Sequence, residues 1–298
     1  MKFHQLRAFL ATLEHKTFSD AALELGMSQS AVSYAVAELE KSLGVTLLER
    51  GRNGASATRI GEEVAAQVRQ LFQVEETIRQ LASAESGALR GTLNVLTFRS
   101  VASRVMPGVL HYLAEHHTGL QVRLLETSGN HQEVERALSE GRADLAFVQL
   151  PFADAFLQWE VLRDPYVALR IKGSGKKEHV TWRDLAETPL LLYGDHESTA
   201  VIEQYLKGEL GRVKPKHQVT EDSTLVRMVA EGLGLTVMPQ LAVEALPENV
   251  EVAALPEPLE RTVGIAIAPK ALKIPAVRAF TRVLKLKYPG SNLPDLSL

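Results

Sequence analysis

The 298-residue sequence predicts an α/β protein with a helical N-terminal domain, a long connecting helix and a C-terminal part of two α/β lobes. Residues 1–58 contain short helical repeats of apolar residues separated by tight turns, and residues 59–88 read as one uninterrupted helix. From residue 92 onwards, strand-like and helix-like segments alternate, which is typical of α/β sheets. A typical length of about 150 residues per domain also favours two compact units.

The composition is that of a folded protein, because apolar residues make up 45% of the chain and charged residues 23%. The absence of cysteine excludes disulfides, thiolate metal sites and a thiol–disulfide switch. The net charge of −3 lacks the basic excess that is typical of nucleic-acid binding, and residues 1–60 carry only seven basic against six acidic residues. Charge alone therefore does not indicate a nucleic-acid partner.

The N-terminal residues predict the location of the protein. They carry charges within their apolar stretch and lack a small-residue cleavage site, so we expect no signal peptide. No segment approaches the ~18 uncharged apolar residues of a membrane helix. We therefore expect a soluble, cytoplasmic protein with no membrane partner.

Residues 18–37 have the layout of a helix-turn-helix motif. Ala21 and Ala22 allow close helix crossing, and Gly26 permits the turn between the helices. Ser19 and Ser28 are the predicted N-caps of the second and third helices. The third helix starts with short polar side chains, which is what a helix needs to reach base edges in the major groove. An ordinary helical hairpin with a polar solvent face is the alternative.

Two further features accompany this motif. Residues 44–58 (GVTLLERGRNGASAT) predict a two-stranded wing, because a short apolar strand, a Gly/Asn turn and a small-residue strand follow one another. The long helix over 59–88 carries apolar residues at alternating steps of four and three that Glu75 interrupts: Val64, Val68, Leu71, Ile78 and Ala82. This stripe fits packing on the helix's own domain or a coiled-coil dimer seam, and the seam is favoured because the helix joins two compact units.

The C-terminal part predicts a parallel sheet with helical crossovers, divided into two lobes with a cleft. The predicted strands are 93–96, 121–126, 144–150, 166–171, 190–193, 235–239 and 263–268. The predicted helices are 101–117, 130–140, 198–209, 224–232 and 275–287.

Motifs for catalysis or metal binding are incomplete. GSGKK (173–177) lacks the full phosphate-loop spacing, and His116 and His117 diverge by about 100° on a helix and cannot share a metal ion. The chain has no GxSxG, HExxH or dinucleotide-binding fingerprint. We therefore expect no enzyme activity, no metal and no cofactor.

Beyond these separate features, the chain closely resembles the LysR-type transcriptional regulators over nearly its whole length, up to about residue 287. The resemblance is carried by SQSAVSYAVAELEKSLGVTLLER (28–50), TRIGEE (58–63), RGTLNVL (90–96), VMPGVL (105–110), LLETSGNHQEVERALSEGRADLAFVQLP (124–151) and DSTLVRMVAEGLGLTVMP (222–239). It implies a winged helix-turn-helix over 1–58, a dimerising linker helix over 59–89 and an effector domain over 90–298. That domain would resemble a type 2 periplasmic binding protein, with lobes of about 90–161 plus 267–298, and 162–266.

The resemblance also implies the DNA contacts. The expected DNA-binding residues on the recognition helix and wing are Ser28, Gln29, Ser30, Ser33, Tyr34, Arg50 and Arg52. The two arginines are expected to enter the minor groove or to pair with phosphate. Leu48 and Ala57 depart from the usual Phe and Leu of the family, so we expect this wing to pack differently.

The effector pocket is expected where strand ends meet helix starts. The expected effector-binding residues are Thr97, Phe98, Arg99, Ser100, Ser128, Asn130, His196, Ser198, Thr199, Ser223 and Thr224. Helix N-termini together with Arg99 favour an anionic small molecule. Arg99 equally fits a surface or hinge salt bridge, Phe98 fits a pocket wall or plain core, and Ser100 fits a helix cap as well as a ligand contact.

The preferred hypothesis is a ligand-responsive transcription factor that binds paired half-sites on double-stranded DNA as a dimer or tetramer. RNA polymerase is a further candidate partner. A solute-binding or enzyme module with an accessory helical domain, and an architectural DNA-binding protein without a ligand, are the alternatives.

Overall fold

The computed structural model forms two compact units. It describes residues 1–51, 54–173, 178–194, 197–211, 217–219, 221–243 and 245–296. Unit 1 comprises residues 1–79 with 140–142, and unit 2 comprises residues 80–139 with 143–298. No helix in the described part of the chain is long and apolar enough to cross a membrane.

Unit 1 begins with three helices: α1 (Phe3–His15), α2 (Phe18–Leu25) and α3 (Gln29–Leu43). They bury a shared core that includes Phe9 and Leu39. The turn between α2 and α3 is confirmed, since Gly26 adopts a left-handed φ of 63° and the Ser28 hydroxyl accepts a hydrogen bond from the Ala31 amide.

The predicted cap of α2 is wrong by two residues. Thr17, not Ser19, precedes the helix, and the Thr17 side chain accepts a hydrogen bond from the Asp20 amide at 3.1 Å. The helix thus starts at Phe18, two residues earlier than a cap at Ser19 would place it, and the Ser19 side chain is exposed.

The predicted wing is confirmed. Strands β1 (Leu48–Gly51) and β2 (Gly54–Ala57) pair in antiparallel register, with Leu48 opposite Ala57. These two departures from the family pattern are therefore cross-strand neighbours, and the Leu48 side chain is buried. Helix α4 (Arg59–Glu85) follows as a single long helix.

Unit 2 contains the remaining elements. Its strands are β3 (Arg90–Thr97), β4 (Gly119–Glu126), β5 (Leu145–Leu150), β6 (Leu157–Ile171), β7 (Leu190–Tyr193), β8 (His217–Val219), β9 (Leu235–Pro239), β10 (Val250–Ala254) and β11 (Glu260–Ile267). Its helices are α5 (Arg99–Arg104), α6 (Met106–His116), α7 (His131–Ser139), α8 (Trp182–Glu187), α9 (Glu197–Leu210), α10 (Asp222–Ala230) and α11 (Pro275–Lys287).

The sheet is mixed rather than parallel, which corrects the sequence prediction. Among the strands of the described residues, β4–β3–β5 and β9–β7–β8 pair in parallel. Strand β11 runs antiparallel to both β5 and β6, and β6 runs antiparallel to β9 and β10. These pairings join segments that are distant in sequence and not linked by a helical crossover, so the alternation of strands and helices does not predict them.

The long strand β6 connects the two lobes. Its first part, up to Pro165, pairs with β11, and its second part, from Tyr166, pairs with β9 and β10. Strand β11 also pairs with β5, so the chain returns to the first lobe near Glu260 and not at residue 267. The first lobe therefore contains β3–β5, β11 and the start of β6, and the second lobe contains the rest of β6 with β7–β10.

The cap of α2 generates the first prediction. Thr17→Ala should lower the free energy of unfolding by ~1 kcal/mol, because the Asp20 amide loses its hydrogen-bond acceptor. Urea denaturation measures this loss. Ser19→Ala is the matched control and should change the free energy of unfolding by less than ~0.5 kcal/mol. A larger loss for Ser19→Ala than for Thr17→Ala would contradict the assigned cap.

Candidate functional site

Helix α3 presents a polar surface at its N-terminal end. The side chains of Gln29, Ser30 and Tyr34 are exposed, Tyr34 to 69%. The Ser28 hydroxyl lies 3.0 Å from the Ser30 hydroxyl and caps the helix. The exposed amide and hydroxyl groups are of the type that reads base edges in a major groove.

Arg50 links the wing to this surface. The Arg50 guanidinium carbon lies 4.7 Å from the centre of the Phe18 ring, and Nη2 donates a hydrogen bond to the Ser33 hydroxyl at 3.2 Å. A cationic side chain is thus held beside the polar end of α3, where a phosphate backbone would lie if α3 entered a groove. Arg52 lies outside the described residues.

Helix α4 carries an exposed apolar stripe that shares Leu71 and Ile78 with the predicted one. Val68 is buried in the core of unit 1, and Val64 packs against the same core. The exposed large residues are Leu71, Val74, Ile78 and Leu81, spaced three, four and three residues apart. We call these four residues the α4 stripe. Their spacing is the a/d pattern of a coiled coil.

Charged side chains that are held in ion pairs lie beside the α4 stripe. Glu75 pairs with Arg7 at 2.8 Å and with Arg79 at 2.9 Å. The hydrogen bond from Arg79 is the main cause that holds the pKa of Glu75 below its usual value. The carboxylate that interrupts the predicted stripe therefore lies beside it in an ion-pair network.

Unit 2 contains a cleft of about 370 Å³ between its lobes. The first lobe contributes Phe98, Arg99, Glu126, Thr127, Ser128 and Glu133. The second lobe contributes Tyr193, Gly194, Val219, Glu221 and Asp222. These residues follow or end strands β3, β4, β7 and β8, so the cleft lies at the carboxyl ends of parallel strands, as expected for ligand sites in such sheets.

Three predicted effector-binding residues line this cleft: Phe98, Arg99 and Ser128. Both terminal nitrogens of the Arg99 guanidinium donate to the carboxylate of Glu221, which raises the pKa of Arg99. Since Arg99 belongs to the first lobe and Glu221 to the second, this ion pair spans the cleft. Arg99 thus forms the salt bridge that was one of its two expected roles, and it also lines the cleft.

The other predicted effector-binding residues are not among the described residues that line the cleft. Several of them form hydrogen bonds within their own segment of the structure. Thr97 is buried and donates to the Phe98 carbonyl, and Thr199 donates to the Tyr193 carbonyl. Asn130 caps α7 by accepting from the Glu133 amide at 3.2 Å.

The remaining predictions fall at helix starts. Ser223 and Thr224 are exposed in the first turn of α10, next to the lining residue Asp222. His196 and the side chain of Ser198 lie outside the described residues.

Ser100 belongs to a buried network and does not cap α5, which begins after Phe98 without a side-chain cap. The Ser100 hydroxyl accepts a hydrogen bond from Arg261 Nη2 at 3.0 Å. Arg261 also pairs with Asp164 at 2.8 Å, and the two side chains are only 5% and 1% exposed. The Arg261 guanidinium carbon lies 4.9 Å from the centre of the Phe98 ring.

This Asp164–Arg261 pair lies where both connecting strands pass between the lobes. Asp164 is on β6 and Arg261 is opposite it on β11. The second oxygen of Asp164 accepts from the Leu241 amide, just after β9, at 2.9 Å. The network thus fixes the two crossing strands to α5 and to the second lobe.

Sequence reasoning missed the acidic residues of the cleft. Glu126 ends β4, and Glu221 and Asp222 follow β8, next to the predicted residues Ser223 and Thr224. Their position at or after strand ends is the sequence signal that could have identified them as cleft residues. The Tyr193 hydroxyl was also missed, and its pKa is raised mainly by burial and further by the nearby Asp222. In the described part of the chain, no three His, Asp or Glu side chains are grouped so as to hold a metal ion.

Comparisons with known proteins agree with this architecture. The family model "Bacterial regulatory helix-turn-helix protein, lysR family" matches residues 3–62, and the "LysR substrate binding domain" model matches residues 86–287. The chain is 39% identical over 290 residues to a probable HTH-type transcriptional regulator, LrrA, of Synechococcus elongatus, covering 97% of this chain and 98% of that protein.

More distant relatives include a probable hydrogen peroxide-inducible genes activator of Streptomyces viridosporus, 32% identical, covering 80% of this chain and 78% of that protein. Among solved structures, a full-length OxyR variant from Pseudomonas aeruginosa matches with a TM-score of 0.71 and 25% identity, covering 96% of this chain and 95% of that chain. CbnR bound to its target DNA matches with a TM-score of 0.70 at 18% identity, covering 96% and 99%, and shows the shared fold.

The buried ion pair generates the second prediction. Asp164→Asn should lower the free energy of unfolding of unit 2 by ~3–5 kcal/mol, because it leaves the Arg261 charge buried without its counter-ion. Urea unfolding monitored by circular dichroism measures the loss.

The matched control removes both charges. Asp164→Leu combined with Arg261→Met should destabilise the protein less than Asp164→Asn alone, since no charge remains buried. An Asp164→Asn variant as stable as the wild type would show that the Asp164–Arg261 ion pair is not needed for the stability of unit 2.

Proposed function

Because the chain belongs to the LysR family of DNA-binding transcriptional regulators, we propose that a small molecule bound in the cleft of its substrate-binding domain controls its activity at promoters. The observation that carries this proposal is the cleft itself. It is lined from both lobes, and the Arg99–Glu221 pair spans it. A molecule that binds there can favour one arrangement of the lobes, which is the only way in which a ligand shifts such an equilibrium.

The absence of cysteine from the sequence supports a ligand rather than a redox switch. The family and the named relatives are transcriptional regulators, and the sequence contains no complete catalytic motif. We therefore assign the chain a regulatory role without catalysis. A regulator of this kind works where promoter DNA lies, so we assign it to the cytoplasm.

The exposed end of α3 is the proposed base-reading surface. Gln29, Ser30 and Tyr34 provide an amide and two hydroxyls for base edges, and Ser33 holds Arg50 beside them. Ser28 is assigned mainly to capping, which fixes where α3 begins. Arg50 is assigned to the DNA backbone, where a cation contributes affinity without sequence information.

This assignment generates a prediction for Gln29→Ala. Binding to the operator, located by footprinting upstream of the chain's own gene, should weaken by ~1–3 kcal/mol, because one base contact is lost. Binding to random DNA should be unchanged. Gln132→Ala, an exposed glutamine on α7, is the matched control. Equal losses on operator and random DNA in a gel-shift titration would contradict base reading by Gln29.

The α4 stripe is the proposed contact between two copies of the chain. One recognition helix reads only a few base pairs, so paired half-sites require at least a dimer. The four apolar residues have coiled-coil spacing along one helix, and the ion-paired Glu75 lies beside them.

The α4 stripe generates a prediction for Ile78→Asp, which should dissociate the oligomer at micromolar concentration without unfolding the chain. Ile78 is 62% exposed, so a charge there costs little in the monomer but is desolvated in the contact. Light scattering measures the mass, and Leu286→Asp, at a residue that is 59% exposed on α11, is the control. A wild-type chain that is monomeric at this concentration would overturn the assignment. Val68 is unsuitable for this test, because a charge in the core would unfold unit 1.

A further inference from the structure

We propose that the ligand of the cleft is a small organic cation, an amine or a guanidine, and not the anion that the sequence suggests. This inference rests on the proposed function of the cleft as the effector site. It concerns the charge and the size of the molecule that the cleft accepts.

The charge of the described lining is negative. It holds one guanidinium, that of Arg99, against four carboxylates: Glu126, Glu133, Glu221 and Asp222. Arg99 is already paired with Glu221, so an entering anion would have to displace a carboxylate and would then face three more. A cation instead gains favourable interactions with carboxylates from both lobes.

The nearby buried arginine does not change this balance. Arg261 is neutralised by Asp164 at 2.8 Å and is only 5% exposed. The Phe98 ring, which lines the cleft, packs against the Arg261 guanidinium. Arg261 therefore packs behind the wall of the cleft. Its charge is compensated by Asp164 at the crossing of the two connecting strands.

The shape and the apolar part of the lining favour an organic cation over a metal ion. Phe98, Tyr193 and Val219 give the lining an apolar part, which suits the carbon chain of an organic molecule. A volume of about 370 Å³ is at the small end of ligand sites, which run from ~300 to ~1,000 Å³. Within the described residues, the carboxylates do not converge as a metal site requires.

The Arg99–Glu221 pair then has a defined role. An ammonium group in the cleft competes with Arg99 for the Glu221 carboxylate, because both are cations that need the same acceptor. Arg99 is thus a competitor of the ligand rather than its binding group. Removing Arg99 should therefore strengthen the binding of a cation, whereas it would weaken the binding of an anion held by Arg99, so the two ligand classes are distinguishable.

The experiment is calorimetric titration of the full-length chain with putrescine, agmatine and succinate. We expect at least one of the two amines to bind and succinate not to bind. Arg99→Gln should tighten amine binding about fivefold, because it removes a nearby like charge and frees Glu221. The double variant Glu126→Gln with Asp222→Asn should weaken amine binding tenfold or more, whereas Glu115→Gln, an exposed acid on α6, should bind as the wild type does.

Three results would overturn the cation proposal: binding of succinate that Arg99→Gln abolishes, binding of neither amine, or weaker amine binding by Arg99→Gln. Gel-shift titration of the same preparation with operator DNA separates this failure from failure of the proposed function. If the chain binds its operator and only succinate binds the cleft, the ligand class alone is wrong. If the chain binds no operator DNA, the proposed regulatory function is wrong.

Discussion

The structure of unit 2 depends on one buried ion pair at the crossing of its two connecting strands. Burial of Asp164 and Arg261 is costly unless each charge keeps its partner, and here Arg261 also donates to Ser100 while Asp164 also accepts from the Leu241 amide. Because these bonds join β6, β11, α5 and the segment after β9, they fix the positions from which both lobes reach the cleft.

The same pair determines the electrostatics of the cleft. Asp164 neutralises Arg261, which packs behind Phe98. Among the described residues that line the cleft, the positive charge is therefore that of Arg99. Arg99 in turn is held by Glu221 across the cleft. A ligand in the cleft therefore lies next to an interaction between the lobes, and a ligand that changes this interaction can favour one lobe arrangement over another.

Local features were predictable from the sequence, and long-range pairings were not. The left-handed turn at Gly26, the Ser28 cap and helix α11 at 275–287 follow from residue types and spacing. The partner of Arg99 lies 122 residues away, and the pairing of β11 with β5 and β6 joins segments more than 90 residues apart. In α4, the periodicity of apolar residues predicted an apolar stripe. It did not show that Val68 lies in the core and Val74 on the surface, which only the burial in the structure shows.

The central claim is that the cleft and the DNA-binding surface act on one equilibrium. Linkage then requires that operator DNA change the affinity for the cleft ligand by the same factor by which the ligand changes operator affinity. Calorimetric titration of the bound amine into the chain, first free and then saturated with operator DNA, measures this directly. The account predicts dissociation constants that differ at least about fivefold, corresponding to a coupling of ~1 kcal/mol. Equal dissociation constants would contradict it.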